Sequence, residues 1–116
     1  MTDPPKRGEL WLANLNPTQG SEQSGIRPVI IFQNNLVSKF STTTVAIPLT
    51  TNQRRAALPI CLLLNQGEAG LSKPSVALCF QMRVLDKTRL IRRLGKLTPA
   101  RLSQLEDVVL LTLGYE

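Results

Sequence analysis

Short apolar segments rich in β-branched residues follow one another along this chain, separated by clusters of Gly, Pro, Asn and Ser. Segments of this kind predict β-strands joined by turns. The predicted strands cover residues 9–13, 27–33, 42–51, 58–64, 75–84 and 91–97. Proline has no backbone N–H, so the third strand is expected to be interrupted or to end near Pro48. Residues 14–25 predict a long loop, and loops of that length often carry function.

One helical pattern stands near the end of the chain. Thr98 suits an N-cap, Pro99 suits the first turn, and Gly114 suits the end of a helix. The side chains predicted to cover the sheet are Leu102, Leu105, Val108, Val109 and Thr112. Asp86 is expected to cap a short helical turn over residues 87–90. The fold is therefore expected to be mainly β (α+β): a small antiparallel β-barrel or curved sheet with a C-terminal α-helix.

The length of 116 residues predicts a single domain over residues 1–116. The longest apolar stretches, residues 60–64 and 108–111, are far shorter than the roughly 18 residues that a membrane-spanning helix needs. The first residues hold a basic pair with no apolar signal region behind it. We therefore expect a cytoplasmic protein with no membrane partner.

Histidine is absent from the sequence. Ser-His-Asp triads, His-based acid–base pairs and His-ligated metal sites are therefore excluded. Cys61 and Cys79 lie inside apolar segments and lack the clustered spacing of a zinc site, so we interpret them as buried thiols. We expect no metal ion and no cofactor.

Basic residues outnumber acidic ones by 14 to 8, which gives a formal net charge of +6. Half of the basic residues fall in one segment: Arg83, Lys87, Arg89, Arg92, Arg93, Lys96 and Arg101. Arg54 and Arg55 form a second basic pair. Each of these residues taken singly fits a solvated surface, whereas the whole set favours a polyanionic partner such as nucleic acid.

Several ordered motifs cover nearly the whole chain. The strongest are KRGELWL at residues 6–12, LNPTQGSEQSGIRPV at 15–29 and AIPLT at 46–50; SVALCFQMR at 75–83 and LDKTRL at 85–90 add weaker support. Together these motifs resemble the MazF/PemK family of toxin endoribonucleases, the mRNA interferases of type II toxin–antitoxin pairs. The resemblance implies a MazF/CcdB-like fold of SH3-like barrels that forms a homodimer. It also implies sequence-specific, metal-independent cleavage of single-stranded RNA.

The same resemblance implies a cognate antitoxin that blocks the RNA site, and a toxin–antitoxin complex that binds DNA. A groove lined with Arg and Lys suits an acidic, disordered antitoxin segment that folds on binding. The expected partners are therefore single-stranded RNA, an acidic antitoxin and a second copy of the chain.

In that family an arginine at the head of the second strand and a threonine at the end of the third carry the chemistry, and the matching residues here are Arg27 and Thr50. Metal-free cleavage can use the neighbouring 2′-hydroxyl as nucleophile and leave a 2′,3′-cyclic phosphate and a 5′-hydroxyl. The Arg27 guanidinium suits the charge of the phosphorane. The Thr50 hydroxyl is expected to orient a non-bridging oxygen or the 2′-hydroxyl. Glu22 either transfers a proton or fixes the loop.

The expected RNA contacts surround those catalytic residues. They are Ser21, Gln23, Pro28, Thr51, Arg54, Arg55, Gln81 and Arg83. The Arg54–Arg55 pair is expected to contact phosphates, which give affinity more than specificity. Many relatives carry an acidic residue where this chain has Phe80, so the contacts of that carboxylate are expected to differ. Trp11 is expected in the core or in the dimer interface.

Two other functions stay open from the sequence. A gyrase poison of the same fold would wedge its C-terminal helix into a topoisomerase and would cleave no RNA. Gyrase poisons of this kind act through a C-terminal tryptophan, whereas this chain ends LTLGYE. An inactive partner that only binds the antitoxin is the other alternative, and the presence of Arg27 and Thr50 counts against it.

Overall fold

A computed structural model describes residues 3–20, 22–54 and 60–115. Within them, seven strands form an antiparallel sheet: β1 (Glu9–Asn14), β2 (Ile26–Ile31), β3 (Thr43–Thr50), β4 (Cys61–Leu64), β5 (Ser75–Leu78), β6 (Arg83–Asp86) and β7 (Leu90–Lys96). Their order is β4–β5–β3–β2–β1–β7, and β6 also pairs with β3. The α-helices are α1 (Asn35–Ser38) and α2 (Pro99–Thr112). The expected fold class, mainly β with a C-terminal helix, is confirmed.

Strand β2 lies in the middle of the sheet and is buried on both faces. Alternate residues of a strand point to opposite faces. Ile30 accordingly packs with Leu10 and with Leu105 of α2, whereas Val29 and Ile31 belong to a second apolar cluster on the other face. All three β2 residues are fully buried. The strand predicted over residues 27–33 is confirmed as β2, which ends at Ile31.

Strand β3 runs through Pro48 to Thr50, so the predicted interruption near Pro48 is wrong. The N–H of Phe32 on the β2 side donates to the Val45 carbonyl at 2.8 Å. Alternation along β3 therefore directs the nitrogen of Pro48 away from β2 and towards the opposite edge. The missing N–H costs β3 no hydrogen bond to β2.

On that opposite edge, the predicted single strand over residues 75–84 is wrong, because the chain forms two strands there. β6 pairs with residues 43–46 of β3 and β5 pairs with residues 49–50, so Pro48 falls in the gap between them. The gap is filled by a 3₁₀ turn of three residues, Cys79–Gln81. The break between β5 and β6 therefore lies opposite the one residue of β3 that has no backbone N–H to donate.

Helix α2 begins and packs as its sequence predicts. The Thr98 hydroxyl accepts the Arg101 N–H at 3.2 Å, and Leu105 and Val109 are buried against the sheet. The Asp86 carboxylate caps a 3₁₀ turn over Lys87–Arg89 by accepting the Thr88 N–H at 2.9 Å. Both capping predictions are confirmed.

The predicted fourth strand began at residue 58, and residues 58 and 59 lie outside the described residues. β4 itself begins at Cys61. The short helix α1 follows Asn34, whose side chain accepts the Leu36 N–H. No helix in the described part of the chain is long and apolar enough to cross a membrane.

Candidate active site

The pairing of β2 with β3 brings Arg27 and Thr50 to one end of the sheet. Val29 lies opposite Pro48 in the antiparallel register. Arg27 and Thr50 each lie two residues beyond that pair, at the head of β2 and the end of β3, and both line the same cavity. The head of β2 and the end of β3 therefore meet, although the two residues are far apart in the sequence.

Arg27 and Thr50 line one cavity of about 340 Å³. Leu12, Pro28, Leu49 and Leu94 supply its apolar lining, and Thr51 continues the side formed by β3. The far wall is formed by the connection before β5 and by the first residue of β5: Gly70, Leu71, Ser72, Lys73 and Ser75. Arg92 of β7 completes the described lining. This lining holds three cations and no carboxylate, so the cavity favours an anion.

Arg27 is held by its own loop and keeps most of its donors. Its Nε donates to the Ser24 carbonyl at 2.6 Å. No described carboxylate forms an ion pair with it; the ion pairs of the described residues involve Arg7, Arg93 and Arg101. A guanidinium has five N–H donors in a planar fork. The four on Nη1 and Nη2 are therefore available to the oxygens of a phosphate.

Thr50 is almost fully buried, with 6% of its surface exposed, and it forms part of the cavity lining. Its Oγ1 accepts the Asn52 N–H at 3.2 Å. A hydroxyl has one donor and two acceptor positions. Because this oxygen already accepts, its proton is available for donation to a bound oxygen. The structure thus presents Thr50 as a hydrogen-bond donor.

The loop between β1 and β2 is held by side chains that the sequence had assigned to the site. The Glu22 carboxylate accepts the Gln19 N–H at 3.0 Å, inside the loop, and does not line the cavity. The Gln81 side-chain oxygen accepts the Gln23 N–H at 2.9 Å and so ties the loop to the turn between β5 and β6. These contacts fix the segment that carries Arg27.

A half-buried ion pair lies behind the far wall of the cavity. Arg101 of α2 forms a two-pronged contact with Glu68, with Nε–Oε2 at 2.6 Å and Nη2–Oε1 at 3.1 Å, and Nη2 also donates to the Leu63 carbonyl. The hydrogen bond from Arg101 lowers the pKa of Glu68 below its usual value. The chain segment that Glu68 begins leads directly into the cavity wall.

Two glycines let that segment lie against β7. Gly70 has a positive φ of 82°, and a Cβ on it would lie 2.1 Å from the Leu94 carbonyl oxygen. A Cβ on Gly95 would lie 2.5 Å from the Ala69 carbonyl oxygen. Both distances are shorter than any real contact, so this close approach requires glycine on both sides.

Most of the basic segment 83–101 contacts the protein itself. Arg83, Lys87 and Arg89 donate to backbone carbonyls of Leu15, Ser38 and Asn14, and Arg93 and Arg101 pair with carboxylates. Arg89 also donates to the Asn16 carbonyl. The charge that the sequence predicts for a nucleic-acid surface is therefore largely engaged in contacts within the protein. Arg92 differs, because it lines the cavity.

The remaining predicted RNA contacts divide between the cavity and the surface. Pro28 and Thr51 line the cavity, whereas Arg54 is exposed outside it and Arg83 braces the loop at Leu15. Ser21 and Arg55 lie outside the described residues. Among the polar residues of the cavity lining, sequence reasoning missed Ser72, Lys73, Ser75 and Arg92. The only sequence signal for Arg92 was the high density of basic residues around it, and that density did not distinguish Arg92 from the neighbouring basic residues.

A larger cavity, of about 710 Å³, lies elsewhere, beside Trp11. Its lining mixes both signs of charge: Lys6, Arg7, Arg93 and Lys96 with Asp3 and Glu9. Glu9 is already engaged, because it pairs with Arg93 at 3.0 Å and accepts the Trp11 indole N–H. The smaller cavity is the better anion site, since no acid opposes its cations.

Both cysteines are free and buried, as predicted. Burial raises the pKa of the Cys79 thiol to about 12, with the neighbouring Cys61 adding to the effect. Among the described residues, no group of three His, Cys, Asp or Glu side chains is placed to hold a metal ion. A thiol with so high a pKa is not a nucleophile near neutral pH, so Cys79 is not one.

Three cations and a donor hydroxyl line this cavity of a small β-sheet scaffold, an arrangement that suits a phosphodiester. Comparison with known proteins identifies the family to which this chain belongs. A family model for the PemK-like, MazF-like toxin of type II toxin–antitoxin systems matches residues 6–113. The endoribonuclease MazF of Staphylococcus saprophyticus is 38% identical over 109 residues, which cover 94% of this chain and 91% of that protein. The chain belongs to the PemK-like, MazF-like toxin family.

Solved structures share the fold. MazF from Deinococcus radiodurans superposes with a TM-score of 0.84 at 24% identity, over 97% of this chain and 99% of that one. An endoribonuclease from a mycobacterial species, solved in complex with its cognate antitoxin, gives a TM-score of 0.80 at 24% identity, over 97% of each chain. The expected MazF-like fold is therefore confirmed.

Proposed function

We propose that this protein is the toxin of a type II toxin–antitoxin pair, an endoribonuclease that cleaves single-stranded RNA at a short recognition sequence without a metal ion. The observation that carries the proposal is the meeting of Arg27 with Thr50 in a cavity whose described lining holds no carboxylate. Both residues stand at the positions that the family's motifs assign to the chemistry. Cleavage of mRNA stops translation and growth, and the cytoplasm is the expected place of action.

In the proposed reaction, the 2′-oxygen forms a bond to the adjacent phosphorus and the bond from phosphorus to the 5′-oxygen breaks. The 2′-hydroxyl loses its proton and the leaving 5′-oxygen gains one, so the products are a 2′,3′-cyclic phosphate and a 5′-hydroxyl. The free Nη donors of Arg27 stabilise the extra charge of the phosphorane. The Thr50 hydroxyl donates to a non-bridging oxygen, as its contact with Asn52 supports.

We assign Glu22 to the fixing of the loop and not to proton transfer. Its carboxylate accepts the Gln19 N–H and lies outside the cavity lining. A loop held in this way presents Ser24, whose carbonyl orients the Arg27 guanidinium. Glu22 then acts on the reaction only through the position of Arg27.

The proposed partners are a second copy of the chain and an acidic antitoxin. Several large apolar side chains are exposed on the isolated chain, including Leu36, Phe40, Val84, Ile91 and Tyr115. Exposed apolar surface of this kind supports protein–protein contact. The net charge of +6 supports an acidic partner. Light scattering at micromolar concentration tests the homodimer, and a monomer there would contradict it.

The test of the activity uses purified protein with EDTA and a long single-stranded RNA, followed by mapping of the 5′ ends. Wild type is expected to give discrete cuts that bear 5′-hydroxyls. Arg27→Ala is expected to lose roughly 10²–10³ in rate, because it removes the donors to the charged intermediate. Arg93→Ala is the matched control, since it removes the same charge from a side chain engaged with Glu9.

Intact RNA with folded wild-type protein would overturn the proposal and favour an inactive antitoxin-binding partner. Equal cleavage by Arg27→Ala and wild type would show that the assigned site is wrong. Inhibition of a topoisomerase without RNA cleavage would support the gyrase-poison alternative, which the endoribonuclease relatives do not favour.

A further inference from the structure

We infer that Arg92 of β7 binds a phosphate of the RNA chain inside the active-site cavity, next to the one that Arg27 and Thr50 hold, with Lys73 on the facing wall. This inference rests on the proposed function. It adds a substrate-binding residue that the family motifs do not include, and it concerns affinity and not the chemical step.

The pairing of three strands places Arg92 at the cavity. Arg92 lies opposite Leu12 of β1, and Leu12 lies opposite Pro28 of β2. Residues directly opposite in an antiparallel sheet share a face. Arg92, Leu12 and Pro28 therefore form a row across the sheet that ends beside the head of β2. All three residues line the cavity together with Arg27.

Arg92 is also free to bind a ligand. Within the described residues it has no ion pair and no hydrogen bond from its side chain, unlike five of the other six basic residues in the segment 83–101. Its side chain is exposed. A guanidinium keeps its charge and presents a fork that matches phosphate oxygens, so an unpaired arginine in a cationic cavity selects phosphate.

The opposite wall supplies a second cation. Lys73 is exposed, lines the same cavity and directs its backbone carbonyl to the Ser75 hydroxyl. Arg27, Lys73 and Arg92 thus surround one opening with three positive charges and no described acid. A single phosphate does not need three positive charges around it. An RNA strand passing through the cavity brings successive phosphates, which explains cations on more than one wall.

The adjacent residue Arg93 provides a matched control. It lies opposite Trp11, pairs with Glu9 and lines the larger cavity beside Trp11. Arg92→Gln and Arg93→Gln remove the same charge one residue apart. A general effect of net charge would change both variants equally, whereas a phosphate contact in the active-site cavity changes only the first.

The test measures the affinity for a labelled single-stranded RNA that contains the mapped cleavage site with a 2′-deoxynucleotide at the attacking position. Fluorescence anisotropy in EDTA over a series of KCl concentrations gives Kd and its salt dependence. Arg92→Gln is expected to raise Kd about 3–10-fold and to reduce the slope of log K against log[KCl] by about 0.7, the value for one lost contact to a single strand. Arg93→Gln is expected to leave the slope unchanged.

Cleavage of the all-ribose RNA gives the second readout. Arg92→Gln is expected to raise KM by the same factor as Kd and to leave kcat within about threefold. Arg92→Lys keeps the charge, so it is expected to retain the slope. Arg92→Met removes the charge and replaces the glutamine variant if that variant fails to fold.

Equal behaviour of the two glutamine variants, weaker binding with an unchanged slope, or a loss confined to kcat would each overturn the assignment. Wild type that leaves RNA intact overturns the proposed function, and this inference with it. Wild type that cleaves while Arg92→Gln matches Arg93→Gln overturns this inference alone.

Discussion

Replacing Arg101 with alanine tests whether the ion pair behind the cavity wall stabilises the protein. The variant loses two contacts to Glu68, one to the Leu63 carbonyl and one to Gln104. The Arg101 and Glu68 side chains are only 23% and 17% exposed. Breaking a fully buried pair costs about 3–5 kcal/mol, and an exposed pair contributes less than about 1 kcal/mol. We expect this variant to lose about 2–3 kcal/mol, or roughly 10 °C in Tm for a chain of this length.

Urea unfolding at pH 7 and in acid measures this loss. The lowered pKa of Glu68 means that its contribution is present above the ordinary glutamate pKa and disappears as pH falls through the lowered value. Wild type should therefore lose more stability than Arg101→Ala does between pH 5 and strongly acidic solution. Arg93→Ala is the control, because Arg93 is 48% exposed in its pair with Glu9 and should cost less than about 1 kcal/mol. Equal losses in the two variants would refute the reasoning.

Three further predictions concern the glycine contact, the loop and the thiol. Gly70→Ala should cost about 2–3 kcal/mol, since its Cβ would collide with a β7 carbonyl, whereas Gly67→Ala meets no atom; similar losses in thermal melts would contradict this. Glu22→Gln should keep kcat within about threefold, because an amide oxygen still accepts the Gln19 N–H; a loss of 10² or more would restore a proton-transfer role. The raised pKa of Cys79, about 12, predicts stability that falls above about pH 9, where the unfolded thiol ionises first, by up to about 1.4 kcal/mol per pH unit. Unfolding of Cys79→Ala across pH 8–11 under reducing conditions should lack that part of the slope, and an identical slope would count against it.

Local sequence patterns were sufficient to predict the structure wherever the interaction itself is local. The Thr98 and Asp86 caps bind groups within three residues of themselves, so the sequence identifies both. The consecutive apolar residues Val29, Ile30 and Ile31 of β2 indicate a strand covered on both faces, because such a strand needs apolar residues at every position. The alternation over residues 75–84 predicts one strand, because a period of two does not show which partner a strand pairs with.

The candidate site depends partly on the family motif and partly on how the strands pair. From the sequence alone follow the mainly β character of the chain, the C-terminal helix, the absence of histidine chemistry and the expectation that Arg27 and Thr50 act together. Only the tertiary structure decides what each cation contacts, since Arg83, Arg89 and Arg101 meet partners 33 to 75 residues away. Arg92 and Arg93 are identical and adjacent in the sequence. The pairing of β7 with β1 includes irregularities on both sides of Trp11 and Leu12. It places Arg92 at the candidate active-site cavity and Arg93 beside Glu9. Such long-range pairing depends on the packing of the whole sheet, and no local pattern encodes it.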